Sequence, residues 1–180
     1  SGLQKKYKWW ERTFVLTSEI YYKYITNVIP YDLNDIRIRY YGDNLGTAYA
    51  YGVDVRLNGE FIKGLESWFN LGILSTRENV SIDDKGYIRR PSDQRVTATI
   101  FFQDHLPNNP SIRVFLNMVF GSGLPFGPPN QPNQRSILNA PFYRRIDIGF
   151  SKLVTLHDKS VEPNKLFESI WISAEILNLL

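Results

Sequence analysis

Apolar and polar residues alternate with a period of two over stretch after stretch of this chain, most cleanly at 48–76. Tyr49, Tyr51, Val53, Val55 and Leu57 fall on one side, and Ala48, Ala50, Gly52, Asp54, Arg56 and Asn58 on the other. After a short turn at 59–64, Leu65, Ser67, Phe69, Leu71 and Ile73 alternate with Glu66, Trp68, Asn70, Gly72 and Thr76. Successive side chains of a strand point to opposite faces, so this spacing predicts two paired strands. Weaker forms of the pattern predict strands at 12–25, 94–103, 112–121, 142–154 and 167–179, about seven in all. Residues 1–10 read as a loop or frayed lead-in.

The exceptions to the alternation carry information. Ser18 interrupts the apolar side of 12–25 and Val15 its polar side; Phe101, Phe115 and Val119 put bulky apolar groups where polar ones are expected. An open water channel accepts such groups poorly, whereas a lumen filled with protein accepts them.

Strand length and connection length point the same way. Strands of soluble proteins stop at about five or six residues, while a strand tilted across a bilayer needs about nine to eleven, the length of these arms. The connections at 59–64, 106–111 and 157–165 are short; those at 26–47, 78–93 and 121–141 are long and rich in Pro, Gly, Asn and Asp. Within the first long one, Ile36, Ile38 and Tyr40 alternate with Arg37 and Arg39, which predicts an extended hairpin. Short turns on one rim and long loops on the other are the pattern of a bacterial outer-membrane barrel. The expected fold is therefore all-β, part of an antiparallel transmembrane β-barrel. An odd number of strands does not close such a barrel, so the chain is read as one segment of a larger wall.

Composition narrows the picture only a little. Of 180 residues 43% are hydrophobic and 14% aromatic, with 11 Tyr, 11 Phe and 4 Trp. Such an excess suits strands and the headgroup girdles of a barrel, and equally a sugar-binding sandwich. There is no run of 18 apolar residues, hence no transmembrane helix and no recognisable signal peptide, and the mean hydropathy is −0.28. A barrel remains compatible, because its strands are apolar only at alternate positions. The chain has no cysteine, so it has neither disulfides nor a thiolate metal site. A net charge of +3 is too small and too scattered to argue for nucleic acid. Lys5, Lys6 and Lys8 read as a solvated terminus.

Catalytic and metal chemistry find little footing. His105 and His157 are the only histidines, each near a short turn, with His105 taken on the apolar side of its strand. Neither belongs to a metal-ligand spacing or a nucleophile arrangement. Asp32 with Asp35, and Asp83 with Asp84, lack the pattern of a helix-flanked calcium loop. The glycines of 121–141 lack a phosphate-loop spacing. No catalytic residue, metal or cofactor is assigned, and the chain is expected not to be an enzyme.

Four segments, in order, carry a family resemblance. They are Ala48-Tyr49-Ala50-Tyr51-Gly52-Val53-Asp54, Gly64-Leu65-Glu66-Ser67-Trp68, Leu124-Pro125-Phe126-Gly127 and Tyr143-Arg144-Arg145-Ile146-Asp147-Ile148-Gly149-Phe150. The chain resembles the C-terminal part of the barrel of TonB-dependent receptors from Bacteroidetes-type outer membranes. That resemblance implies a barrel of about 22 strands around an N-terminal plug. It also implies a bacterial outer-membrane location and import of a bulky nutrient driven through the TonB complex, in some members under a surface lipoprotein lid. The family's plug, energy-coupling box and last strand with a terminal aromatic have no counterpart in this sequence.

On that basis the polar side would line the lumen or hold the plug, through Glu19, Lys23, Asp54, Arg56, Glu66, Arg95, Arg113, Arg145, Asp147 and Glu175. A cross-strand ion pair between Arg56 and Glu66 is expected, and Arg145 and Asp147 are placed to bracket a neighbouring charge. The plainer alternative is that each is a satisfied polar residue of a wet or plug-filled lumen. From the long loops, Tyr31, Tyr40, Tyr41, Tyr87, Phe126 and the Asn and Gln residues after Pro129 are candidate ligand contacts. Val53, Val55, Phe69, Leu71, Ile146 and Ile148 should form the outward apolar surface. The alternative fold is a soluble β-sandwich or jelly-roll carbohydrate-binding module, in which those side chains would pack against a second sheet.

Overall fold

The computed structural model describes residues 1–34, 37–80, 84–106, 108–156, 167 and 169–180. It is all-β and antiparallel. The main sheet is a meander of eight long strands: β1 (Gly2–Trp9), β2 (Arg12–Val28), β5 (Gly46–Ile62), β6 (Leu65–Asn79), β8 (Val96–Leu106), β9 (Asn109–Gly121), β12 (Tyr143–Leu156) and β13 (Ser169–Ile176), with neighbours paired in that order. The short β7 (Ile88–Arg89) adds to the end of β6. Two small hairpins lie off the sheet, β3 (Tyr31–Asn34) with β4 (Arg37–Tyr40), and β10 (Pro125–Phe126) with β11 (Leu138–Asn139). A one-turn 3-10 helix, Pro132–Gln134, sits between the strands of the latter.

The count of seven is corrected to eight, and with it the parity argument for a segment is withdrawn. The missed strand is β1, where Leu3, Tyr7 and Trp9 alternate with Gln4, Lys6 and Lys8. Its turn to β2 is Trp10-Glu11, both at positive φ (52° and 60°), the geometry of a tight hairpin without the Asn or Gly that signals one. The sheet is open among the described residues: β1 and β13 are its two edges and no ladder joins them.

The meander sorts the connections onto two rims. One rim carries the tight turns 10–11 and 63–64 and the end of the β8–β9 connection at Asn108; Pro107 and almost all of the connection between β12 and β13, His157 included, lie outside the described residues, as do Asp35, Ile36 and Asp83. The other rim carries the connections 29–45, 80–95 and 122–142, with the small hairpins inside them.

Register then builds two unlike faces. On the first, Leu16, Leu57, Phe69, Ile100, Met118 and Ile146 line up as one row across six strands. Rows beside it carry Ile20, Val53, Ile73 and Val96, and Phe102, Leu116, Ile148 and Ile176. Aromatic rings bound this aliphatic field at both rims. Toward the long connections stand Tyr22, Tyr24, Tyr49, Tyr51, Tyr87, Phe120 and Phe142, with Tyr49 and Tyr51 stacked. Toward the tight turns, Trp9 stacks on Trp10 at 4.6 Å between centroids, and both rings meet Phe14, which in turn meets Phe61 edge-on.

No second layer covers this face among the described residues: the other described strands form only the two small hairpins, and large apolar side chains of the face stay exposed. Ile20, Tyr22 and Ile73 are 64, 69 and 51% exposed. Val53, Val55, Phe69, Leu71, Ile146 and Ile148 share the face and are half-buried by their strand neighbours. Charged exceptions inside the aliphatic rows are Lys5, opposite Leu16 with its ammonium over the Tyr7 ring toward the tight-turn rim, and Arg144, in the row of Phe120, Ala98, Leu71 and Val55 with its guanidinium over the Phe142 ring; Asp104 and Lys152 lie on the same face nearer the tight turns.

Candidate functional site

The second face is polar but not uniformly so. Tyr21 lies directly across from Gly52 and Phe115 across from Gly149, and a Cβ on either glycine would run into the facing ring. An aromatic ring laid on a bare glycine fixes register, because no other residue at that position leaves room for it. Trp68 stacks on Phe101 at 4.2 Å, and Phe101 contacts Phe115, which explains the apolar residues that break the polar pattern.

The candidate residues of this face are dispersed along it. Asp54 and Arg56 are exposed, Asp54 opposite Glu19 and Arg56 opposite Thr17 and Asn70. The expected Arg56–Glu66 pair does not form. The strands run on to a turn at 63–64 in place of the expected 59–64, which sets Arg56 opposite Asn70, and the Glu66 carboxylate accepts from Asn58 Nδ2 at 2.9 Å. Arg113 lays its guanidinium over the Trp171 ring at 4.0 Å. Arg145 and Asp147 bind each other, Nε to Oδ1 at 2.7 Å, rather than bracketing a third charge. Asp147 is buried and also accepts from Asn117 Nδ2 and from the backbone N–H of Asn178, so it ties β9, β12 and the end of the described chain together. His105 faces the polar side, opposite Arg113, which corrects its placement on the apolar side.

Chemistry is densest at the long-connection rim, where three connections meet. Glu78, at the end of β6, and Asp93 are both buried. Glu78 holds Arg90 Nε at 3.0 Å on one oxygen and Arg135 at 2.9 Å on the other. Asp93 holds Arg89 Nε at 2.5 Å and Arg95 Nε at 2.9 Å, and accepts the Thr76 N–H at 2.7 Å. Arg89 reaches Asn139, and the Ser136 hydroxyl donates to the Arg89 carbonyl. Connections 80–95 and 122–142 are thereby welded to each other and to β6.

Against this weld opens a cavity of about 90 Å³, lined by Tyr31, Pro91, Pro125, Phe126, Gly127, Pro128, Asn130, Gln131, Arg135 and Ser136. Each of the three long connections contributes to it. The β3–β4 hairpin presents Tyr31, whose ring meets Tyr40 at 6.4 Å and lies 5.9 Å from the Arg135 guanidinium. Burial first, and the Glu78 carboxylate second, push the Tyr31 hydroxyl up to about 12, so it remains a neutral donor.

Of the loop residues singled out from sequence, Tyr31, Phe126, Asn130 and Gln131 line the cavity and Tyr40 backs it, while Tyr87 belongs to the aromatic belt. The Tyr87 hydroxyl bonds that of Thr47 at 2.8 Å and its ring meets Tyr49 at 5.0 Å. Arg95 sits in the arginine–carboxylate weld and not on the open sheet face. Glu78, Asp93, Arg89, Arg90 and Arg135 were not legible as a group: Arg135 is 57 residues from Glu78, and only the folded connections bring them together. Among the described residues no group of His, Asp and Glu is arranged to hold a metal ion. Compared with protein-family models, curated proteins and solved structures, the chain matches none.

Proposed function

We propose that the sheet is part of the wall of an outer-membrane TonB-dependent receptor, with its apolar face against lipid and its long connections forming the outer capture rim. One observation carries this reading: an uncovered aliphatic field bounded by aromatic rings at both rims. Such girdles mark the two headgroup levels of a membrane barrel. From Tyr51 to Phe61 along β5, a strand at the usual barrel tilt rises roughly 25 Å, the height of a barrel's apolar band.

The open edges of β1 and β13 would leave backbone groups unpaired in lipid, so the wall needs further strands. The polar face then looks onto the lumen and the plug. Its ring-on-glycine pairs and the apolar patch of Trp68, Phe101 and Phe115 suit a protein-filled interior better than an open channel. TonB would act through the plug, and a lipoprotein lid would sit over the long connections. No bond-making chemistry is asked of this segment. A sandwich would instead seal one face under a second sheet, whereas Ile20, Tyr22 and Ile73 stay more than half exposed among the described residues.

Extraction of the native full-length protein tests the reading. It should need detergent, and an unboiled sample should migrate differently from a boiled one on a detergent gel. A protein monodisperse in plain buffer would contradict membrane residence.

A further inference from the structure

The cavity at the long-connection rim is built from ring surfaces. Pro91, Pro125 and Pro128 stand with the rings of Phe126 and Tyr31, flat apolar walls that favour a further ring laid among them, and a volume of about 90 Å³ is on the scale that takes one small ring. Charge has no place there. Among the described residues no Asp, Glu or Lys lines the cavity, so a cationic ligand would lose its water without meeting a counter-charge. Arg135, the one charged residue of the lining, is engaged by Glu78 and by a further partner, and Arg90 is held on the same carboxylate, so an anion would have to compete with a buried acid. One polar handle remains. The Tyr31 ring is held between Tyr40 and the Arg135 guanidinium, while its hydroxyl makes no hydrogen bond among the described residues and stays a protonated donor far above neutral pH.

We infer that the rim cavity binds a neutral small molecule bearing one apolar ring and a carbonyl oxygen beside it, with the ring among the proline and Phe126 surfaces and the oxygen on the Tyr31 hydroxyl. A phenolic O–H suits the second task because it donates to a carbonyl without bringing charge into an apolar site. A sugar ring, with hydroxyls on every side, would leave most of them without partners against these walls. The inference rests on the long-connection rim being the capture face and names the class of solute that face would take.

The test uses the full-length protein in detergent and benzamide as the probe, with binding followed by ligand-observed NMR against protein-free micelles as the blank. Benzamide should bind with a Kd in the millimolar range, and benzoate, benzylamine, acetamide and methyl glucoside at least about tenfold more weakly. Tyr31→Phe keeps the ring and removes only the hydroxyl, so it should weaken benzamide about threefold or more and leave toluene, which has no oxygen to accept, unchanged. Gln131→Trp, which fills the cavity from an exposed position, should weaken both about fivefold or more. No binding of benzamide, equal binding of any of the four comparison compounds, equal effects of Tyr31→Phe on benzamide and toluene, or indifference to Gln131→Trp overturns the inference. The gel shift on heating, measured on the same samples, reports separately on the membrane reading, so either can fail alone.

Discussion

The two faces of one sheet share every strand, yet they hold their structure by different means. On the apolar face, rows such as Leu16, Leu57, Phe69, Ile100, Met118 and Ile146 line up across strand neighbours and stay uncovered among the described residues, with Phe14 on Gly59 as the one ring-on-glycine pair described there. On the polar face, specificity comes from particular partners: Tyr21 on Gly52, Phe115 on Gly149, and Asp147 held by Arg145, Asn117 and the Asn178 backbone. On the proposed reading the first face meets lipid, an isotropic apolar solvent that needs only composition, and the second meets water or protein, which needs specific pairs. The contrast predicts opposite tolerance to substitution.

The largest effect should come from charge on the apolar face. Leu71→Arg sets a guanidinium near the middle of the aliphatic field and should cost ~2–4 kcal/mol in lipid. Its neighbour Asn70→Arg, on the other face, gives up one bond to Thr99 and should cost about 1 kcal/mol or less. Refolding yield in lipid, read as the heat-modifiable fraction, should separate the two variants. Equal losses would erase the distinction between the faces.

An intermediate effect is expected where a ring covers a glycine. Gly149→Ala forces the Phe115 ring aside and should destabilise by ~1–3 kcal/mol. Phe115→Leu in the same chain should recover part of that loss, and urea unfolding in lipid measures both. Additive losses would show that the ring and the glycine are not coupled.

The smallest effect on the sheet should come from the rim. Glu78→Ala leaves Arg90 and Arg135 without their shared carboxylate, and because Arg90 is partly exposed and Arg135 has a further partner the cost should be about 1–2 kcal/mol. Limited proteolysis should then cut 80–95 and 122–142 faster while the strands stay protected. Uniform loss of protection would mean that the weld holds the sheet as well as the loops.

Much of this architecture is legible in the alternation alone. Period two at 48–76 gave both the strands and the identity of their faces, since Val53, Val55, Phe69 and Leu71 do share one. β1 escaped because Lys5 breaks its apolar side and the Trp10-Glu11 turn lacks turn-forming residues. The Arg56–Glu66 pairing failed for a different reason: Gly59 and Gly64 suggested a longer turn, but β5 runs on through Ile62 to a turn at 63–64, so Arg56 meets Asn70. The rim site was visible only in fragments, Tyr31, Tyr40, Arg95, Phe126, Asn130 and Gln131, because its charged partners come from separate connections whose loop sequences carry no periodicity.

The absence of cysteine allows the most direct measurement, a single-cysteine spin-label scan of residues 69–74 in the reconstituted full-length protein. Lipid contact predicts high collision rates with oxygen and low rates with a water-soluble nickel chelate at 69, 71 and 73, and low oxygen rates at 70, 72 and 74. Labels at 71 and 73 that are open to nickel, or closed to both reagents, would contradict a lipid-facing sheet.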